Sequence, residues 1–321
     1  MFYNINEDKI EDFTGKGLSD LKSGIIRTPL CPIQTFMDDP LRILRSFRFS
    51  ARYNYSIEDE VFKATKSEEI KKSFIKKISK ERIGKEFDAN FKNIFDTKNP
   101  FLFFRHIYDS GYWEVILQND LKEKIAMGYA MFQKLTDNYD QLKDLYIETA
   151  DALKEIKSYE VIYLSHFAVL TIEFNDPSIT DKKKQPIYDF IKNKVKRPNV
   201  CVDFTTRFQS SLVQLYQINK DFSVTSLALW QREAGYMWRL VATVFSIIND
   251  DKNAINVEKL ITEHGLETFH KEKCLLNGKE VADYFNVSKE DIRKKLDEVI
   301  VWQAINRGAT KKDLLKSFNL I

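Results

Sequence analysis

The hydrophobic pattern changes period once along this chain. At Phe2-Tyr3-Asn4-Ile5 and again at Lys9-Ile10-Glu11-Asp12-Phe13 the residues alternate in the strand manner, with Asn6-Glu7-Asp8 between them, which predicts a β-hairpin. From Thr35 onward the apolar residues recur at three and four, and nearly everything reads as helix. The predicted helices cover 40–53, 58–65, 79–95, 100–109, 112–117, 120–135, 139–156, 158–172, 181–194, 201–217, 223–231, 234–249, 255–265, 278–285, 288–305 and 310–317. With 10 glycines and 7 prolines in 321 residues, breaks are few and helices long. The predicted fold is therefore mainly α, preceded by a hairpin whose lone pair of strands is marginal in water.

The helix at 40–53 carries the strongest chemical signal. Asp39 before Pro40 makes a helix opening in which a carboxylate can cap free N–H groups and the proline loses no hydrogen bond. Arg42, Arg45, Arg48 and Arg52 follow at steps of three, three and four, on one broad face, with Leu41, Leu44 and Phe47 offset toward a core. A charge run is usually a solvated face. Here, however, four arginines occur without a lysine in a lysine-rich chain, and forked guanidinium donors suit phosphates and base edges. Asp39 and Arg42 together offer an acceptor and a donor, the equipment for reading a base edge, although capping competes for Asp39.

Composition narrows the remainder. Hydrophobic residues make up 43% and aromatics 13%, so the chain is globular. Its 50 basic and 47 acidic residues give a formal charge of +3, so an RNA surface would have to come from local segregation. Three scattered cysteines form no Cys-x-x-Cys, and the four histidines follow no ligand pattern; a reducing compartment is expected. No apolar run reaches the roughly 18 residues of a membrane span. The aromatic residues of 101–113 have core spacing. Near the end, Asn277-Gly278 predicts a turn, Ser288 with Asp291 and Thr310 with Asp313 predict helix starts, and Lys279 lies where a basic helical unit could hold a sugar-phosphate backbone.

The string Asp38-Asp39-Pro40-Leu41-Arg42-Ile43-Leu44-Arg45-Ser46-Phe47-Arg48-Phe49 resembles the nucleotide-selecting helix of the CCA-adding tRNA nucleotidyltransferases of the bacterial and eukaryotic class, which includes bacterial poly(A) polymerases. Glu11 to Leu21 with Ile26-Arg27-Thr28-Pro29-Leu30 resembles the segment joining that family's head to its neck, and Ile78 to Glu86 resembles its neck motif. Leu276-Asn277-Gly278-Lys279 and Trp302-Gln303 look like its tail, more weakly, and 100–270 match no motif. The resemblance implies a remnant of the head at 1–33, a neck at 34–98, a helical body at 99–271 and a tRNA-binding tail at 272–321. It also implies that Asp39 and Arg42 read the incoming CTP or ATP, while Arg45 and Arg48 orient them or touch the triphosphate. Asp38, Glu81, Arg82 and Glu86 would hold the arginine forks, and Lys76, Lys77 and Lys80 would lie beside the tRNA acceptor end. Glu81 with Lys85 and Arg82 with Glu86 are at the same time simple helix pairs at four-residue spacing.

Family members carry a glycine-rich phosphate loop, an Asp-x-Asp metal pair and an Arg-Arg-Asp block, none of which occurs in order here. Magnesium would thus be bound by a head that this chain is expected to lack in large part, and the chain alone is expected to be inert. Two classes stay open: a CCA-adding enzyme or its non-head portion, with poly(A) polymerase as a variant, and a non-catalytic helical RNA-binding scaffold. Expected partners are tRNA, CTP and ATP but no membrane; oligomeric state is open, and the family allows cytoplasm, nucleus or mitochondrion.

Overall fold

A computed structural model describes residues 1–321 except 93, 95, 96, 98, 119–121, 176–178, 180, 219–221 and 250–255. The fold is mainly α, as the periodicity predicts, and the hairpin forms between β1 (Phe2–Asn4) and β2 (Lys9–Glu11), antiparallel with Tyr3 opposite Ile10. The chain divides into two compact units, one of residues 1–136 with 156–205 and one of residues 137–155 with 206–321.

In the first unit, α1 (Gly17–Ser23) leads into β3 (Ile25–Ile26), followed by α2 (Pro32–Asp38), α3 (Arg42–Tyr53) and β4 (Ser56–Ile57). Strands β3 and β4 pair in parallel, Ile25 with Ser56 and Ile26 with Ile57. Next come α4 (Asp59–Thr65), α5 (Glu68–Lys77), α6 (Lys80–Phe91), α7 (Leu102–Asp109), α8 (Tyr112–Leu117), α9 (Lys122–Asp137) and, after residue 156, α11 (Ser158–Leu170). Sequence periodicity misses α1, α2, α5 and the β3–β4 pair. The strands, at two residues each, are too short for any alternation.

The predicted helix at 181–194 is instead a 3₁₀ turn at 182–184, a short α12 (Pro186–Asp189) and a π-helical turn at Phe190–Lys194. Pro186 explains the interruption, since it can donate no backbone hydrogen bond and sits at the first position of α12. Helix α3 begins at Arg42, two residues later than predicted. The residue before a proline is pushed out of the α region, and Asp39 has an extended backbone (φ −139°, ψ 96°), so Pro40 and Leu41 form a turn ahead of the helix.

The core of this unit is aromatic, as the spacing of 101–113 predicts. Phe87 of α6 packs edge-on to Phe103 (5.3 Å) and Phe167 (5.2 Å), and Phe104 stacks on Trp113 (5.7 Å). Two histidines are enclosed with them. His106 lies 2.9 Å from Ser50 Oγ and beside Phe47, and His166 stacks on Phe101 and lies 2.8 Å from the Ile162 carbonyl.

The second unit holds α10 (Tyr139–Leu153), the latter part of α13 (Asn199–Ile218), α14 (Val224–Ala234), α15 (Trp238–Asn249), α16 (Val257–Glu263), α17 (Gly278–Phe285), α18 (Ile292–Ile305) and α19 (Lys311–Ser317). Leu276, Val281, Val299, Leu314 and Leu315 form a separate small core among the last elements. Capping boxes start α17 (Asn277 with Glu280) and α19 (Thr310 with Asp313). Ser288 starts no helix; its hydroxyl bonds Asp291, and α18 begins at Ile292.

Burial holds His106 and, despite its carbonyl contact, His166 in the neutral state, each pushed down to about 4. The unfolded chain protonates both near pH 6.5, so it binds more protons than the folded chain between pH 6.5 and 4. Stability should therefore be full above pH 6.5 and fall as the pH drops toward 4, by on the order of 2–3 kcal/mol per histidine. Urea denaturation at pH 7 and pH 5 checks this; an unchanged midpoint would count against it.

Candidate nucleotide-selecting site

Helices α2, α3 and α6 bring the sequence-predicted residues together around the Asp39 turn. One oxygen of the Asp39 carboxylate accepts the Leu41 N–H (3.2 Å) and the other accepts the Arg82 guanidinium (2.8 Å). Asp39 thus caps the turn and holds a cation at once. Burial raises its affinity for a proton, but the Arg82 and Leu41 hydrogen bonds outweigh this and hold the carboxyl below its ordinary range. The Asp39 and Arg82 side chains remain 31% and 43% exposed, so a solute can still reach the pair. Arg42 donates to the Thr35 carbonyl of α2 (3.3 Å) and is itself exposed.

Further along α3 the arginine ladder splits. Arg48 is buried, and its Nε donates to Glu86 Oε2 (2.8 Å), with side-chain exposures of only 10% and 8%. Arg45 is half exposed and approaches the other Glu86 oxygen at 3.7 Å. Both guanidiniums lie over the Phe49 ring, at 4.4 Å for Arg48 and 6.0 Å for Arg45. Arg52 lies 5.6 Å over Tyr53, at the far end of the helix from Asp39. The helix periodicity places the four arginines on one side but cannot show that a second helix buries one of them.

Arg82 and Glu86 reach across to Asp39 and to Arg48 and Arg45 rather than pairing with each other along α6. Ser79 caps α6 at the Arg82 N–H and so fixes where Arg82 starts its reach. Glu81 is solvent-exposed and its carboxylate is held at its own backbone N–H and the Ser79 hydroxyl, and Asp38 is exposed. Lys77 donates to the Met37 carbonyl (2.6 Å), tying α5 to the end of α2. Lys76 is exposed, and burial followed by the nearby Lys194 lowers the Lys80 ammonium's proton affinity. Lys279, exposed in the first turn of α17, belongs to the second unit.

Sequence reasoning misses the back of α6. A Cβ on Gly84 would collide with the Val195 carbonyl. One turn on, Asp88 accepts hydrogen bonds from Arg197 and from the Tyr163 hydroxyl (3.1 Å). A glycine inside a helix costs about 1 kcal/mol relative to alanine, which is a signal of close packing that could have been read. Among the described residues, no group of three or more His, Cys, Asp or Glu is placed to hold a metal ion.

No family model matches the chain. It is 28% identical over 98% of its length to tRNA nucleotidyltransferase cca1 of Schizosaccharomyces pombe, covering 67% of that protein. The chain is thus similar over nearly its whole length to tRNA nucleotidyltransferases. Over 88 residues, 27% of the chain, identity reaches 50% with the mitochondrial CCA tRNA nucleotidyltransferase of Saccharomyces cerevisiae, of which this is 16%. The fold agrees: a CCA-adding enzyme solved with ATP superposes with a TM-score of 0.59 at 17% identity, over 96% of this chain and 66% of that one. The chain spans about two thirds of the length of the nucleotidyltransferases that it matches from end to end.

The buried Glu86–Arg48 pair yields a stability prediction. Glu86→Ala should cost about 3 kcal/mol or more, because it leaves a buried guanidinium without its carboxylate. Replacing both partners, Glu86→Leu with Arg48→Met, should recover most of that loss. Chemical denaturation of the three proteins decides; a cost under about 1 kcal/mol for Glu86→Ala would mean that water or another acceptor satisfies the Arg48 guanidinium in place of the carboxylate.

Proposed function

We propose that this chain is the nucleotide-selecting and RNA-binding part of a tRNA nucleotidyltransferase that adds CCA to tRNA 3′ ends from CTP and ATP. The observation that carries the reading is the Asp39 turn. A carboxylate oxygen and the Arg42 guanidinium stand at one helix start, held by Arg82 and the Thr35 carbonyl, still open to solvent. The edges of cytosine and adenine each present an exocyclic amino donor beside a ring-nitrogen acceptor. Asp39 accepts from the amino group and Arg42 donates to the ring nitrogen, so the protein takes the part of a template. A base carrying a carbonyl in place of the amino group faces the Asp39 carboxylate with an acceptor and is rejected.

Arg45, near the surface, takes the triphosphate side, while Arg48, held in its buried pair, keeps the helix in register. Arg82 and Glu86 act as positioning residues, with Asp38 and Glu81 at the periphery. Lys76, Lys77 and Lys80 face the acceptor end of the tRNA, and Lys279 contacts its backbone within a tail of residues 272–321. Magnesium, which phosphoryl transfer calls for, is assigned to no described residue, and transfer then depends on metal-ligating carboxylates from elsewhere. The relatives include mitochondrial enzymes, and an intracellular compartment containing tRNA is proposed for this protein too.

Calorimetric titration tests the site. Arg42→Ala should weaken CTP and ATP binding alike, and Asp39→Ala should blur the choice between CTP and UTP; unchanged affinities in both variants would reject the assignment. Melting curves are needed beside them, since loss of the Asp39 cap costs about 0.5–2 kcal/mol. Incubation of the chain, joined to an N-terminal segment that carries metal-ligating carboxylates, with tRNA lacking its 3′ end, magnesium and labelled nucleotide tests the activity. Incorporation of both CTP and ATP in order supports CCA addition, and runs of A alone point to poly(A) synthesis.

Removing residues 272–321 should lower affinity for tRNA far more than for free nucleotide, with the lost part steeply salt-dependent. Equal tRNA binding by the shortened chain at low and moderate salt would remove the tail from the interface.

A further inference from the structure

Helix α6 is held from two sides. Arg82 and Glu86, one turn apart, face the Asp39 turn and α3. Gly84 and Asp88, also one turn apart, lie about 200° around the helix and face a different segment of the same unit, residues 190–197. That segment makes a π-helical turn at Phe190–Lys194, a form rare in proteins and frequent near functional sites. Lys196 then turns with a left-handed backbone (φ 52°), and the Arg197 N–H bonds the Ile191 carbonyl (2.9 Å). The outcome is a short strap whose Val195 carbonyl lies against Gly84, where no side chain fits.

Arg197 is the pin of this strap. Its guanidinium bonds Asp88 of α6 with one nitrogen and Glu160 of α11 with another (2.7 Å), 5.9 Å from the Tyr163 ring. Only 11% of the Arg197 side chain is exposed, and Glu160 is equally enclosed at 12%. A forked donor fixed to carboxylates on two helices sets their spacing and rotation in a way a lysine cannot copy. Turning α6 about its axis would break this fork and would also move Arg82 off Asp39 and Glu86 off Arg48.

From this two-sided grip we infer that Arg197, acting through α6, is a positioning residue for Asp39, setting the carboxylate that the proposed function assigns to base reading without touching a nucleotide. The base-selecting role rests on that proposal, whereas the positioning of Asp39 does not.

The test follows the Asp39 carboxyl itself, by carbon-detected NMR titration of the full chain, together with thermal melting. Arg82→Ala should move the Asp39 midpoint up and gives the value for complete release. Arg197→Met should move it at least half as far, and Arg197→Lys less. If Arg197→Met does not fold, Asp88→Asn loosens the same anchor and should give the same shift. A lowered melting temperature with Asp39 titrating as in the parent chain would overturn the proposal, leaving Arg197 a brace of the body alone. So would an Asp39 midpoint indifferent to Arg82→Ala.

In a second arm, Arg197→Met should reduce the preference for CTP over UTP by roughly tenfold, and should reduce it no further in an Asp39→Ala background, since effects routed through one residue are not additive. Equal losses in both backgrounds would overturn the routing through Asp39. If Asp39→Ala leaves the preference intact while the midpoint still follows Arg197, base reading falls and the positioning of Asp39 stands.

Discussion

The buried carboxylate of Glu86 is the interaction on which the candidate site depends. Enclosing a charge is costly unless it is paired and hydrogen-bonded, and Glu86 meets this by taking Arg48 on one oxygen with Arg45 nearer the other. An apolar pair of equal volume could hold two helices as tightly. It could not fix their register, because only one rotation of α3 points a guanidinium at a given carboxylate. The same contact turns what looks like a solvated basic face into two classes of arginine: those committed to the fold and those left to meet a ligand.

Helix α6 serves several neighbours at once, and that explains its composition. Arg82 and Glu86 supply opposite charges to α2–α3, Phe87 and Phe91 enter the aromatic core, and Gly84 and Asp88 accept the strap and its arginine. Twelve residues with so few unengaged faces leave little room for substitution.

Much of this was legible in the sequence where periodicity or capping chemistry is local. The long amphipathic helices, the hairpin, the helix start at Thr310 and the aromatic core at 101–113 all follow from spacing. Asp39, Arg42 and the arginine ladder stood out as residue types at a helix start. What could not be read is what depends on distant partners: that Arg48 would be buried by Glu86, 38 residues away, or that Arg82 would cross to Asp39 rather than bond its neighbour at 86. The π-helical turn and Arg197 escaped for the same reason, since Asp88 is 109 residues distant and nothing local marks it as a partner.

The two-residue parallel pairing of β3 with β4 has a consequence for the order of assembly. It joins Ile25 to Ser56 and so shuts a loop of about 30 residues that contains α2, the Asp39 turn and α3. Closing a flexible loop of that size costs about 3 kcal/mol of chain entropy, too much for two rungs of ladder to offset alone. The helices must therefore shorten and stiffen the path first, which makes the ladder a late clasp and not a nucleus. Once shut, it lets the Asp39 turn loosen only together with both helices, so that the segment opens as one cooperative unit rather than fraying from either end.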